Sequence, residues 1–293
     1  MVDLSISIVS WNTRDLLGQC LTSVYDTADG LELEVIVVDN ASSDGSAEMV
    51  RSKYPDVKLT ENSDNVGFAR ANNQTFEHSA GRCVLLLNPD TVCLPGAPPG
   101  LIRFLDENPK AGAVGPLVLN ADKMLQYSWA RFPTLWSEAI GKLDRRIGPR
   151  GVWPGTADEV CALGPFPVDW IGGCCLMVKR GAVEQIGPMD ESLFMYSEET
   201  DWCLRLRKAG WEVWVEPGAQ IVHLAGQSSV QAPGETALRL RRSKAVLFTK
   251  HHGRCAGTVL GGVLAVKSHI KRAIRLAACP CIGGRGASSE WRR

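Results

Sequence analysis

LSISIVSWN (residues 4–12) and LEVIVVDNASSDG (residues 33–45) decide the fold class of this 293-residue chain. Each opens as a run of apolar and β-branched residues and ends abruptly in polar ones. A strand that is apolar on both sides belongs to a sheet covered on both faces, because a half-exposed strand would alternate. Between the two runs Thr13 can cap a helix in which Leu16, Leu17, Cys20, Leu21 and Val24 recur on one side. The pattern then repeats, with a helix after Asp44 and Gly45, a strand at 57–60, a helix over 67–80 and a buried strand over 82–87. Strands alternating with helices make βαβ units around a parallel sheet, an α/β domain.

Residues 120–167 are rich in Trp, Pro and Gly without a clear period and read as loops over the sheet. Order returns at 168–178, in a helix over 198–209 that stops at Arg205, Arg207, Lys208 and Gly210, and in strands near Val213 and Ile221. With 45% hydrophobic and 22% charged residues the composition is that of a globular body and excludes a disordered chain or a polytopic membrane protein. The formal net charge of zero conceals an asymmetry. Of 32 Lys and Arg, 13 lie in 239–293 beside the single acid Glu290, which leaves 19 basic against 31 acidic groups before them. A basic tail on an acidic body suits an anionic surface, and phospholipid, lipid-linked diphosphate and nucleic acid share that chemistry. The 12 residues 255–266 are apolar, with three glycines, and precede Lys267, Lys271, Arg272 and Arg275. Such a segment is too short to span a bilayer and better fitted to its surface. The ten cysteines are scattered, and neither Cys174–Cys175 nor Cys279–Cys281 has zinc-knuckle spacing. No secretory segment opens the chain, so reduced thiols in a cytosolic protein are expected.

Ligands of open parallel sheets bind beyond the carboxyl ends of the strands. Here those ends are Ser10, Trp11 and Asn12, then Asp39 to Gly45, then Asn88, Pro89, Asp90 and Thr91. No Gly-rich turn follows the first strand, which argues against a dinucleotide fold. A carboxylate at a strand end can instead hold a divalent cation that neutralises a departing diphosphate, and Asp90, fixed by Pro89, is suited to that role. Read from the residues alone, Asn-Pro-Asp serves equally as a turn, Asp39 as a turn cap, Arg70 as a solvated helix face and His223 as a structural histidine. The acids at 198–201 likewise suit any helix start.

Seven segments in fixed order carry a resemblance: SIVSWN ending at Asn12, VIVVDNASSDGS (35–46), NVGFARANN (65–73), LLLNPDT (85–91), VDWIGGCCLMVKR (168–180), MDESLFMYSEETDWCLRLRKAGW (189–211) and IVHLAGQS (221–228). Together they resemble the family-2 inverting glycosyltransferases of the GT-A fold, and especially the bacterial rhamnosyltransferase-like branch. The resemblance covers roughly the first 230 residues and implies an α/β GT-A fold: one mostly parallel twisted sheet, helices on both faces, and a C-terminal helical extension. It implies that Ser10, Asn12 and Asp39 contact base and ribose and that Asn65 and Arg70 belong to the donor loop. Asn88 and Asp90 stand where the family has Asp-x-Asp, Asn88 replacing the first carboxylate, so Asp90 becomes the firmer metal ligand and His223 completes the site. Trp170, Gly172 and Gly173 resemble the segment lining donor sugar and acceptor. Glu198, Glu199 and Asp201 match the acidic cluster that supplies the catalytic base. Residues two apart on a helix point to opposite sides, and Asp201 has Arg205 four residues on, so Glu199 is the expected base and Glu198 and Asp201 the alternatives.

The expected organisation is a glycosyltransferase domain over 1–232, with a nucleotide-sugar half (1–120) and an acceptor and catalytic half (121–232), then a basic helical extension (233–293). The expected reaction moves a sugar, rhamnose from dTDP-rhamnose in the first instance, onto a hydroxyl of a lipid-linked or cell-wall glycan with Mg²⁺ or Mn²⁺ as cofactor. A cytoplasmic protein peripheral to the inner face of the plasma membrane is expected, its tail on anionic lipid and nucleic acid not a partner. Two rivals are a metal-dependent nucleotidyltransferase, which should carry a Gly-rich basic loop where this chain has SWNTRD, and a sugar-nucleotide or glycan-binding module without catalysis.

Overall fold

Leu4–Ser10 (β1) is buried along nearly its whole length, as its unbroken apolar run demands, and pairs in parallel with Leu33–Asp39 (β2) and Cys83–Leu87 (β4). The computed structural model describes residues 2–126, 128–140, 156–224 and 233–278. Lys58–Glu61 (β3) extends the parallel half beyond β2. On the other side of β4 come Cys175–Lys179 (β10), antiparallel to β4, then Ala111–Leu119 (β6), Glu212–His223 (β11) and Thr91–Cys93 (β5). Phe166–Val168 (β8) pairs with β11, while Trp129–Ala130 (β7) and Trp170–Ile171 (β9) form a small separate ribbon. The result is a central sheet, parallel through its nucleotide half, with helices on both faces: the GT-A arrangement.

Alternation along each strand sends side chains to two cores. Leu4, Ile6 and Ile8 of β1 join Val35, Val37, Leu85 and Leu87 in the first, covered by Arg14–Asp26 (α1), Ser46–Lys53 (α2) and Ala97–Glu107 (α4). Leu86, Leu176 and Val178 face the second, covered by Phe68–His78 (α3), Arg180–Ile186 (α7) and Glu198–Lys208 (α8), where Trp202 is fully buried and stacks on Phe76. Residues 120–167 hold more order than their composition suggests: besides β7 and β8 they contain Leu135–Ile140 (α5) and Ala157–Cys161 (α6), the latter closed by a capping box between Thr156 and Glu159.

Where two strands were expected near Val213 and Ile221 there is one, β11, with a bulge. Its pairing with β6 runs to Glu216 opposite Pro116 and resumes at Gln220 opposite Leu117, leaving Pro217, Gly218 and Ala219 unpaired. Because three residues are extra, the faces exchange: Val213 and Val215 enter the second core, Ala219 and Ile221 the first.

The C-terminal extension is two helices, Pro233–His252 (α9) and Arg254–Ala278 (α10). Leu247, Phe248 and Leu260 are buried, Lys244 forms an ion pair with Glu138 of α5 at 3.0 Å, and α10 lies against α5 and α9. Among the described residues no helix is long and apolar enough to cross a membrane. Cys279 and Cys281 lie outside the described residues.

Candidate active site

The strand ends converge as the sheet rule requires. Leaving β2, Asp39 Oδ1 accepts the Ser42 N–H at 2.8 Å, while its buried Oδ2 takes no hydrogen bond among the described residues. Asn12, in the left-handed region at φ 52°, ties the end of β1 to the same loop: its N–H donates to Ser42 Oγ and its Oδ1 accepts the Ser43 N–H at 2.8 Å. Ser10 is fully buried against Thr13 Oγ1. These three residues therefore shape one turn, and Asp39 alone leaves it with an unused acceptor.

Antiparallel pairing of β11 with β5 sets His223 opposite Thr91, the residue after Asp90. His223 Nε2 stands 3.2 Å from Asp90 Oδ1 and 3.3 Å from Asn88 Nδ2. The opposite ring nitrogen, Nδ1, is 2.6 Å from Gln126 Oε1. Gln126 Nε2 donates to Asn120 Oδ1 at 2.7 Å and to the His223 carbonyl at 3.0 Å, so Oε1 must be the acceptor and Nδ1 carries the proton. In the neutral ring Nε2 then turns a lone pair toward the Asp90 carboxylate, and a cation satisfies both. A histidine whose second nitrogen is fixed by an amide oxygen is the usual setting of a metal ligand. The pair thus fits a divalent ion, with the remaining positions left to phosphate and water oxygens. Among the described residues no group of three or more His, Cys, Asp or Glu gathers as a closed metal site.

Asn88, Asp90 and His223 form one wall of a cavity of about 270 Å³, whose lining also includes Trp11, Asn40, Asn65, Gly67, Phe194, Tyr196 and, from α9, Thr236 and Arg239. Asn65 Oδ1 accepts the Gly67 N–H at 3.0 Å and faces Asn40 Nδ2 at 3.3 Å. Gly67 has φ 88°, and a Cβ there would stand 2.5 Å from the Phe194 carbonyl oxygen; that oxygen accepts the Phe68 N–H at 2.7 Å. Arg70 does not line the cavity. It is 61% exposed, with Nε 3.9 Å from Glu191. The α9 residues carry no motif, and no local pattern marks them as part of the cavity.

Tyr196 and Ser197 both adopt left-handed φ, 70° and 68°, immediately before α8, a strained approach to its acidic first turn. Glu198 is buried and Glu199 partly so. Burial, with the neighbouring Glu199 charge, pushes the Glu198 carboxyl well above its ordinary value, and burial raises that of Glu199 as well. The helix dipole favours the ionised forms, yet desolvation prevails. Asp201 goes the other way. Against the opposing effect of burial, His251, Lys250 and Arg205 hold it below the carboxylate range. Its fully buried side chain accepts from Arg205 Nε at 2.9 Å, as the sequence spacing anticipates, and lies 2.9 Å from Lys250 and 2.7 Å from His251 Nε2.

Gly173 approaches the acidic turn: a Cβ there would stand 3.8 Å from Glu199 Cβ and 3.4 Å from Phe68. The next residue, Cys174, feels both the Asp90 and Glu199 charges, though burial is the main cause of a thiol pushed up to about 12. The strand end therefore lies between Glu199 and the Asn88–Asp90 turn, whose Asn88 N–H donates to the Cys174 carbonyl at 2.9 Å. Gly172 N–H donates to the Ser128 carbonyl at 2.7 Å, and Trp170 Nε1 donates to the Arg131 carbonyl at 2.9 Å.

A central α/β sheet with helices on both faces and a cavity at the ends of its parallel strands is the arrangement of the GT-A fold. The chain belongs to glycosyl transferase family 2, whose family model matches residues 5–170. It is 32% identical over 284 residues to N-acetylglucosaminyl-diphospho-decaprenol L-rhamnosyltransferase of Mycobacterium tuberculosis, covering 91% of this chain and 92% of that one. It is also 28% identical over 210 residues to the low-salt glycan biosynthesis hexosyltransferase Agl10 of Haloferax volcanii, covering 70% and 62%. Among solved structures, the mannosyltransferase PcManGT of Pyrobaculum calidifontis, in complex with GDP-Man and Mn²⁺, superimposes with a TM-score of 0.60 at 19% identity over 96% of this chain and 76% of that one. GalNAc-T7 with UDP, GalNAc and Mn²⁺ gives a TM-score of 0.60 at 15% identity over 84% and 48%.

Proposed function

We propose that the chain is a metal-dependent, inverting glycosyltransferase that moves a rhamnosyl group from dTDP-rhamnose to a hydroxyl of a lipid-linked or cell-wall glycan. The observation that carries the chemistry is the 3.2 Å pairing of Asp90 with a His223 whose tautomer Gln126 fixes. Asp90 and His223 would hold a Mg²⁺ or Mn²⁺ ion, which would supply neutralisation of the departing diphosphate. Asn88 and Asn65 bind the donor from the cavity wall. Asp39 Oδ2, the buried acceptor without a partner among the described residues, takes the imide N–H of a pyrimidine, in a loop whose shape Ser10 and Asn12 maintain. Trp170, Gly172 and Gly173 form the acceptor side, where the absence of a side chain lets the acceptor reach Glu199.

Glu199 accepts the proton of the acceptor hydroxyl as that oxygen bonds to the anomeric carbon. The bond from that carbon to the diphosphate oxygen breaks at the same time, and the nucleoside diphosphate leaves with the electron pair. One displacement inverts the centre. The raised carboxyl makes Glu199 a stronger base than a solvated glutamate. Rhamnose and a lipid-linked acceptor are supported by the mycobacterial relative, which aligns over nearly the whole of both chains. A lipid-linked acceptor in turn favours a cytoplasmic enzyme attached to the inner membrane face through its basic extension.

The test is release of dTDP from dTDP-rhamnose in Mn²⁺, with and without a decaprenyl-diphosphate-linked N-acetylglucosamine acceptor. Acceptor-dependent release is expected, and Asp90→Asn should abolish it and weaken dTDP binding in Mn²⁺. Undiminished turnover in excess EDTA would overturn the metal requirement.

A further inference from the structure

Helix α9 follows the family-2 segment in sequence, yet it closes the donor cavity. Thr236 and Arg239 reach the lining directly. Ser243, four residues beyond Arg239 and on the same face, donates to the Met195 carbonyl at 2.8 Å, and Leu247, a further four on, is buried. Thr236, Arg239, Ser243 and Leu247 thus form a single stripe seated on the segment that precedes α8. The guanidinium of Arg239 lies 4.6 Å over the Phe194 ring. Phe194 is itself set by the tight contact of its carbonyl with Gly67 and Phe68. The cation is therefore held by a stacked ring whose backbone is fixed to the donor loop, and little side-chain freedom remains to be lost on binding.

The charges in this cavity do not balance without it. Among the described lining residues Asp90 is the one carboxylate and Arg239 the one Lys or Arg. A sugar-nucleotide diphosphate brings roughly two negative charges and gains another as the sugar bond breaks, while a divalent ion beside Asp90 contributes only about one net positive charge. A planar guanidinium, which offers paired donors to phosphate oxygens, fits the remainder. Arg70, the cation that the donor-loop motif suggested, is solvated and turned to Glu191.

We propose that Arg239 of α9 binds the donor diphosphate, so that the C-terminal extension is a structural part of the donor site. This rests on the reading of the cavity as the diphosphate site. The experiment is calorimetric binding of dTDP, UDP and GDP and of the corresponding nucleosides to the full chain, in Mn²⁺ and again in EDTA. Arg239→Ala should weaken the bound diphosphate by about 10- to 100-fold, as expected for a lost charge-assisted hydrogen bond, and leave the nucleoside unchanged. The loss should persist in EDTA, because it does not pass through the metal. Arg239→Lys should recover part of it. Arg241→Ala, which removes the same charge from an exposed position of the same helix, should bind as the wild type does. Wild-type chain that binds none of the diphosphates overturns the donor reading itself. Wild type that binds, with Arg239→Ala binding equally or losing nucleoside and diphosphate alike, overturns the role of Arg239 alone.

Discussion

Glu199 and Asp201 are separated by one residue on α8, yet their surroundings drive their protonation in opposite directions. Asp201 has no exposed surface and three cationic or hydrogen-bonding partners, so Asp201→Asn leaves buried charge uncompensated and should cost about 3 kcal/mol in denaturant unfolding, with dTDP affinity unchanged. Glu199→Gln should be folded, bind donor nearly as the wild type does, and lose a factor of about 10² or more in transfer rate. Because burial raises Glu199, the alkaline-rising limb of kcat should lie above the ordinary glutamate value of 4.5 and should vanish in Glu199→Gln. An inactive but folded Asp201→Asn beside a fully active Glu199→Gln would reverse the assignment. Arg205 was legible as the partner of Asp201 because the two are one helical turn apart. Lys250 and His251 were not, since they come from 49 and 50 residues away and no local period encodes that contact.

At the scale of elements, α9 is joined to α8 by a junction that titrates. His251 Nε2 faces Asp201 at 2.7 Å, its Nδ1 faces Lys208 Nζ at 3.0 Å, and Lys250 and Arg205 complete the charged surroundings. Burial lowers the imidazole below its ordinary 6.5, outweighing the pull of Asp201. A base depressed on folding binds fewer protons in the native state. Its contribution is therefore complete above pH 6.5 and lost as the pH falls through the lower native value. Melting temperature should thus decline on acidification from pH 7 toward 5, and His251→Gln should flatten that decline; equal slopes would remove His251 from the junction. Helix α4 shows the converse limit of local reading. Its start, Ala97-Pro98-Pro99-Gly100, has the composition of a turn, yet a proline in the first turn forfeits only an N–H that has no helical acceptor, and Leu101, Ile102 and Leu105 then bury one face. The strands and their polar ends were legible from periodicity alone, whereas the order of β10, β6 and β11 was not, because it depends on which sheet edge each strand reaches.

Across the whole molecule, the charge asymmetry read from the sequence acquires a shape. Val259, Val266 and Ile270 are exposed on one side of α10, at spacings of seven and four, and exposed Trp136 lies on α5, against which α10 rests. An apolar stripe on a basic helix, beside an exposed tryptophan, is suited to the interface of an anionic bilayer. Vesicles containing phosphatidylglycerol should therefore float the wild type, and the pair Val266→Ser and Ile270→Ser should reduce flotation several-fold without lowering the melting temperature; unchanged flotation would refute the attachment. A chain cut near Gly253 is the poorer test, because it also removes the buried Leu260. The three unpaired residues of β11 have a last consequence, for the tolerance of the chain to insertion and deletion. Since they exchange the faces of the strand before His223, the histidine meets Asp90 only because an odd number of residues intervenes there. Removing Gly218 alone would shift the reading frame of the strand by one, so that a chain with every motif residue intact, and nearly the same hydrophobic content, would present its imidazole to the wrong side of the sheet.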